Sequence, residues 1–411
     1  MDCTTIGAAV IERRVTEAEI PDLYQVLRSV RDGRCRRGRR YAAADLLTAM
    51  LLAKMAGEEA WSGIAQWVEL RLAWLQQVLV LPDAPCANCY HYLCERIDAT
   101  ELNEKVAEFF ARQATLNGAA EERPLGAAHE SDAPAAEVAS MRHLACDGKE
   151  LRGTYRLVCG VRQRAQGVFC VYDVSHDYTE ALLPIESKGF EQAVFRAWLR
   201  TAHLCRCVVT ADALHTHPAV CRAIRRSEGH YLLIAKRNQR SLHEDIAYLF
   251  SQPADYWFPQ PEATTVGSGH GRIEVRTQRA SSELNTYLGD RWPDVQQVFQ
   301  LHRTITRRGT QTTEVVYGLT SLPPTVASPQ QLMTLVRAHW QVENRNHWRR
   351  DATLGEDRTK TASKRAALTI AALNNTILAL LDRCGFTNLR AAIRTFAAHP
   401  HRALALIRPS P

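Results

Sequence analysis

The sequence predicts a mixed α/β fold in three parts: an all-helical N-terminal domain, an α/β domain, and a β-rich insertion within the latter. Three observations carry this reading. Residues 1–112 read as helical and basic. Apolar runs of strand length at 143–149, 167–174, 207–213 and 230–236 then alternate with helical stretches at 191–204 and 218–226. That alternation implies a sheet with a parallel portion. Residues 261–325 contain segments of period-two alternation, 267–276 and 312–320, which read as inserted strands.

The bulk properties agree. A chain of 411 residues, 46% apolar and 23% charged, is an ordinary globular composition with room for two or three domains. The formal net charge of +7, with Arg outnumbering Lys, leans towards anionic partners. The start, Met1-Asp2-Cys3-Thr4, lacks a basic segment followed by an apolar one, and no window approaches eighteen uninterrupted apolar residues. Secretion and membrane spanning are therefore not expected, and the expected location is the cytoplasm. The 12 cysteines are scattered, as for reduced thiols in cores.

In chain order, Pro21-Asp22-Leu23 opens a helix. A loop with six arginines follows between Arg31 and Tyr41, including Arg37, Arg39 and Arg40. Like charges at that density repel unless neutralised, which favours contact with nucleic-acid phosphates over a solvated connector. Residues 42–56 form an Ala/Leu/Met helix fit for a core, and Trp61 begins another helix. Cys86, Cys89, His91 and Cys94 have the spacing that could open a zinc site. They all lie on or beside one expected helix, 89–98, without a distant second pair, which weighs against zinc. Residues 113–141 are rich in Ala, Glu and Pro with no apolar period, and read as a linker. The α/β domain is expected at 142–384 with its insertion at 261–325, and a basic helical tail at 385–411.

Three acids stand out. Asp147 and Asp212 each end an apolar strand, and Glu343 lies in a helical run with no Gly or Pro from Gln330 until Gly355. At about 100° per residue, Val336, His339, His347 and Arg350 share the face of Glu343. One carboxylate flanked by two imidazoles and a guanidinium suits a metal ligand whose neighbours hold a polyanion. The blander reading is a charged surface helix, and for each Asp a turn or a helix cap. Taken together, the three carboxylates suit two divalent ions acting on a phosphodiester. The order strand-Asp, strand-Asp, helix-Glu suits a ribonuclease-H-like nuclease core.

These blocks resemble a known family. Asp147-Gly148-Lys149 with Leu151-Arg152-Gly153, and Thr210-Ala211-Asp212-Ala213-Leu214-His215-Thr216, resemble the first two catalytic blocks of the H-repeat-associated (ISAs-type) insertion-sequence transposases, of the DDE superfamily. Tyr231 through Lys236, with Asn238 and Gln239, resemble its strand ending in Lys-Gly-Asn-Gln, although Arg237 stands where the family has Gly. Gly269-His270-Gly271-Arg272-Ile273-Glu274 resembles a block of its β-rich insertion. His339-Trp340, Glu343-Asn344-Arg345, His347-Trp348, Asp351 and Gly355-Glu356-Asp357-Arg358 resemble its third block. Arg37-Gly38-Arg39-Arg40-Tyr41 and the helix after it look like the associated N-terminal domain. The resemblance spans nearly the whole chain, with residues 113–141 and 154–166 matching poorly.

The resemblance implies that Asp147, Asp212 and Glu343 form a catalytic triad holding two Mg²⁺, with Mn²⁺ as the alternative ion. Related DDE transposases place Tyr, Arg and Lys seven before, four before and seven after the Glu. Here those positions carry Val336, His339 and Arg350. The side chains expected at DNA are Lys149, His215, Lys236, Asn238, His339, Asn344, Arg345, His347 and Arg350, with Arg37, Arg39 and Arg40 from the loop. The implied activity is binding of double-stranded DNA at terminal inverted repeats, metal-dependent cleavage at the element's end, and strand transfer to target DNA. Such chemistry pairs two ends, so a dimer on DNA is expected, in a bacterial cytoplasm and associated with the nucleoid. Two other readings share the same residues: a decayed copy acting only as a DNA-binding protein, and a stand-alone ribonuclease-H-like nuclease.

Overall fold

The computed structural model describes residues 22–121, 137–158, 161–186, 189–253, 260–269 and 271–408. Asp22 caps α1 (Leu23–Ser29), accepting a hydrogen bond from the Gln25 amide. Helix α2 (Ala43–Met55) is buried along its whole length, as its Ala/Leu/Met-rich sequence favours, with Asp45, Thr48 and Lys54 buried among the apolar residues. Helices α3 (Trp61–Glu69), α4 (Ala87–Arg96) and α5 (Ala99–Glu121) contribute to the same apolar cluster. The expected linker thus begins inside α5, because residues 113–121 are mostly good helix formers. Its residues 122–136 lie outside the described residues, as does His270 of the insertion.

Among the described residues, nine strands then form one sheet. In chain order they are β1 (Arg142–Leu151), β2 (Gln166–Asp173), β3 (Tyr178–Ile185), β4 (Cys207–Ala211), β5 (His230–Ala235), β6 (Glu262–Gly269), β7 (Arg272–Ser281), β8 (Gln297–Arg307) and β9 (Thr310–Thr320). Their order across the sheet is β3-β2-β1-β4-β5-β9-β8-β7-β6. Strands β1, β4 and β5 run parallel to their neighbours within this trio, and all other pairings are antiparallel. The period-two strands expected as an insertion therefore continue the main sheet, joined by β9 to β5.

The central strands are buried on both sides, which explains their near-continuous apolar sequence. Successive residues point to opposite faces. Cys146, Phe169, Val209 and Leu233 meet α6 (Glu191–Trp198), α7 (Pro218–Arg226) and α8 (Arg240–Ser251) on one side. Ala145, Val208, Leu232 and Phe299 face the other side. There they meet Leu332 and Val336 of α9 (Pro329–His339), and Val342 just beyond it. After α10 (Trp348–Ala352), the long α11 (Lys364–Arg383) lies between the N-terminal helices and the β2–β3 edge. Helices α12 (Leu389–Ala398) and α13 (Pro400–Ile407) return onto α2, so one apolar cluster reaches from Leu23 to Ile407. Among the described residues no helix is long and apolar enough to cross a membrane.

Candidate active site

Strand register sets the first two acids side by side. Ala145 pairs with Thr210 and Cys146 with Ala211 in the parallel β1–β4 ladder. Asp147 and Asp212 are the next residue on each chain. Since Cys146 and Ala211 enter the core beneath α6–α8, alternation aims Asp147, Thr210 and Asp212 at the opposite face. Asp212 follows β4 directly and is the N-cap residue of a short helical turn, Ala213–His215. Burial favours the protonated acid, but the Ala213 amide and Lys236 outweigh it and hold the Asp212 carboxyl below its ordinary range. Lys236 Nζ lies 3.1 Å from Asp212 Oδ1.

The helical run of residues 329–352 crosses this face. Ser328 and Gln331 form a reciprocal cap at its start, and Pro329 fits the first turn. Beside the apolar packing of Leu332, Val336 and Val342, the run makes polar contacts with the sheet. His339 Nδ1 lies 3.0 Å from Thr210 Oγ1, which lies 2.8 Å from His143 Nε2. His347 Nδ1 lies 3.5 Å from Asp147 Oδ2. Lys149 Nζ reaches both Asp351 oxygens at 2.6 Å. Between His339 and His347 the winding widens to a π-helical segment, Val342–His347. Such segments recur at functional sites. Glu343 sits on this segment, exposed and without an ion pair among the described residues.

The imidazoles differ in charge. Burial lowers His339, while Asp147 and Asp212 pull it back part-way, so it stays below the ordinary value and neutral at pH 7. His143 is brought down by burial and by His339, to about 3. Burial also disfavours the His347 cation, but its contacts with Asp147 and Cys170 prevail and push it up to about 9. A positive charge therefore rests against Asp147. The Asp147 and Asp212 side chains remain 31% and 52% exposed. Two carboxylates on one face form an oxygen donor pair that fits a hard divalent cation. Glu343 does not complete it here: among the described residues, no three His, Cys, Asp or Glu side chains gather closely enough to hold a metal.

Comparison with known proteins decides the family. Residues 139–380 match the family described as Transposase DDE domain, and residues 24–110 match the family described as DDE_Tnp_1-associated. The chain belongs to the DDE transposase family. It is a transposase, an enzyme acting on DNA. Its relatives include an uncharacterized protein in the dhlA 3′ region of Xanthobacter autotrophicus, 26% identical over 248 residues (60% of this chain, 75% of that one). "Putative transposase YncI" of Escherichia coli O157:H7 is 20% identical over 348 residues (84% and 83%). "H repeat-associated putative transposase YhhI" of Escherichia coli K12 is 24% identical over 264 residues (62% and 68%).

The transposase uses several of the residues expected at DNA for other purposes. Arg350 has no exposed surface and forms a two-point pair with Glu356, so it cannot reach a phosphate as expected. The unbroken-helix geometry that put it beside Glu343 fails at the π segment, which rotates later residues relative to earlier ones. His215 is also buried, its Nε2 2.9 Å from Glu191 Oε1. Lys149 is buried on Asp351, and Asn238 donates to the Ala213 carbonyl at 2.7 Å. Arg40 pairs with Asp83, and Arg39 donates to the carbonyls of Asp32 and Arg34. Arg37, Asn344, Arg345 and Lys236 are exposed, Arg345 pairing with Asp177.

Sequence reasoning missed the Thr210 link between His143 and His339. A hydroxyl residue inside an apolar strand, two before the acid, was its only signal. Also missed was the Glu191 carboxylate beneath Gly148. A Cβ at residue 148 would come within 2.7 Å of it, so a side chain there would have to displace the Glu191 carboxylate.

Proposed function

We propose that this transposase binds the terminal inverted repeats of an insertion sequence, cleaves DNA at the element's end and transfers the strand to target DNA. The reading rests on one observation: Asp147, within β1, and Asp212, just past β4, lie side by side on adjacent parallel strands, on the face that the Glu343 helix crosses. The ribonuclease-H-like reading of the core has the same support. Asp147 and Asp212 would hold the two Mg²⁺ ions, or Mn²⁺, with Glu343 as third ligand. Bound there, divalent ions lower the pKa of the attacking water and stabilise the leaving oxygen.

The chain's own residues supply the rest. His339 and His347 fix the helix on the sheet by their contacts with Thr210 and Asp147. Lys236 holds Asp212 ionised. Trp340 and Trp348 are 56% and 61% exposed on either side of Glu343, where they can stack on unpaired bases at a cleaved end. Arg37, Arg345 and Asn344 offer polar contacts to the phosphates. Lys236 and His347 stand against the two carboxylates that would hold the ions, and Glu343 is the exposed third carboxylate of the set. Pairing of two element ends calls for a dimer assembled on DNA. The residues 1–112 domain and the strands at 261–325 would read the repeat.

A labelled duplex carrying the element's terminal repeat tests this, with Mg²⁺ or EDTA, for wild type and Asp212→Ala. Nicking at the repeat end that needs metal and is absent in the variant is expected. Binding without cleavage by wild type would point to a decayed copy, and cleavage indifferent to the repeat to a general nuclease.

A further inference from the structure

Cys86 and Cys89 lie outside the chemistry described above. Cys86 is the N-cap of α4 and is exposed, while Cys89, one turn on, is half-buried. Their sulfurs are 3.5 Å apart. The zinc ligands that the sequence offers beside them face elsewhere. Cys94 is buried with its sulfur 3.8 Å from Met50 Sδ, and His91 packs edge-on against Trp61. A cavity of about 380 Å³ opens on both Cys86 and Cys89, bordered by Arg34, Arg40, Tyr41, Asp83 and Tyr92. The pair is thus reachable by a small molecule, and its sulfurs need only close to about 2.05 Å to bond.

We propose that Cys86 and Cys89 form a redox-active dithiol that reduces low-molecular-weight disulfides and is itself closed into a Cys86–Cys89 disulfide. The Cys86 thiolate attacks one sulfur of a disulfide RS–SR. The Cys86–S–SR bond forms, the original S–S bond breaks, and the released thiolate takes up a proton. Cys89 then loses its proton and attacks the Cys86 sulfur, expelling the second RS⁻, which is protonated in turn. Two electrons pass from the cysteines to RS–SR, giving two RSH and one protein disulfide.

The environment divides the two roles. The Cys89 thiol and the Cys89 and Asn88 amides at the helix N-terminus hold the Cys86 thiol below its ordinary range. Burial, together with Cys86, raises Cys89. Cys86 is therefore the attacking sulfur and Cys89 the resolving one. Exposed Cys35 and Cys205 have no such thiol contact described and serve as internal references. The bond would form beside Arg40 and Tyr41, at the end of the arginine loop.

The test uses the full chain with glutathione disulfide as probe, followed by alkylation and peptide mass mapping. Wild type is expected to show the Cys86–Cys89 linkage and no lasting glutathione adduct. Cys89→Ser is expected to trap glutathione on Cys86, and Cys86→Ser to leave Cys89 unmodified. Iodoacetamide at pH 7 is expected to label Cys86 about tenfold faster than Cys205. A stable glutathione adduct on wild-type Cys86 without the linkage, or equal labelling of Cys86 and Cys205, would overturn the proposal.

Discussion

Arg350 and Glu356 form a two-point ion pair inside the protein, Nε to Oε2 at 2.9 Å and Nη2 to Oε1 at 2.8 Å. Asn374 of α11 donates to the same carboxylate at 2.9 Å, and Lys149 of β1 lies 3.9 Å away. Asn346 bridges Thr179 of β3 and Asn375 of α11, each at 3.0 Å. Burial opposes charge on Glu356, but Arg350 and Lys149 prevail and keep it ionised. The helix bearing Glu343 is thus tied to β1, β3 and α11 by buried polar groups.

Removing one member of such a pair strands the other charge. Arg350→Met is expected to lower unfolding free energy by about 3–5 kcal/mol, measured by urea titration. Arg350→Met combined with Glu356→Met is expected to recover much of that loss. At temperatures where the single variant is folded, the salt dependence of its DNA binding is expected to match wild type. A shallower salt slope would return Arg350 to the DNA surface.

Lys54 is buried in α2, its Nζ without a hydrogen-bond partner among the described residues. Burial brings its pKa down from 10.5 to about 8, with Glu356 and Glu59 offsetting part of the effect. Between those values the unfolded chain binds a proton that the folded chain does not, so stability rises with pH there. Below pH 8 the folded protein bears the cost of the buried charge. Lys54→Met is expected to raise the melting temperature at pH 7 and to flatten the rise between pH 8 and 10.5. A melting temperature unchanged at pH 7 would show that the ammonium is well solvated.

Thr210 joins His143 to His339. Thr210→Val keeps the shape and removes the hydroxyl, leaving two imidazole nitrogens unpaired at a cost of about 1–3 kcal/mol. Cleavage is expected to slow several-fold while repeat binding is kept. Unchanged cleavage would mean that the link does not position the Glu343 helix.

Arg36 and Arg37 are exposed at the tip of the arginine loop, whereas Arg34 is buried on Asp32 and the Tyr41 carbonyl. Replacing both Arg36 and Arg37 by Ala is expected to lower the slope of log affinity against log salt by roughly 0.9 for each phosphate no longer neutralised. An unchanged slope in fluorescence anisotropy would place DNA elsewhere.

The core strands were legible as apolar runs of strand length, although β1 runs on past Asp147 to Leu151, and the Ala/Leu/Met-rich run of α2 marked a core helix. The burial of Arg350 and His215 was not legible. A charged residue in an amphipathic pattern looks the same whether it faces solvent or a partner several residues or a whole strand away. Glu356 lies only six residues after Arg350, but the turn that brings it back depends on Gly355, whose φ of 62° is left-handed. Nor did periodicity reveal the π segment, because an extra residue per turn has no compositional mark. The continuation of β6–β9 from the main sheet was hidden too, since β9 meets β5 from a distant part of the chain.

The central claim is that Asp147, Asp212 and Glu343 act as one catalytic set, and Glu343→Ala tests it most directly. Binding and cleavage of the same repeat-end duplex would be measured side by side in Mg²⁺. The account predicts wild-type binding with cleavage reduced by at least about a thousandfold, in keeping with the loss of an essential catalytic group. Cleavage by Glu343→Ala at the wild-type rate would contradict it.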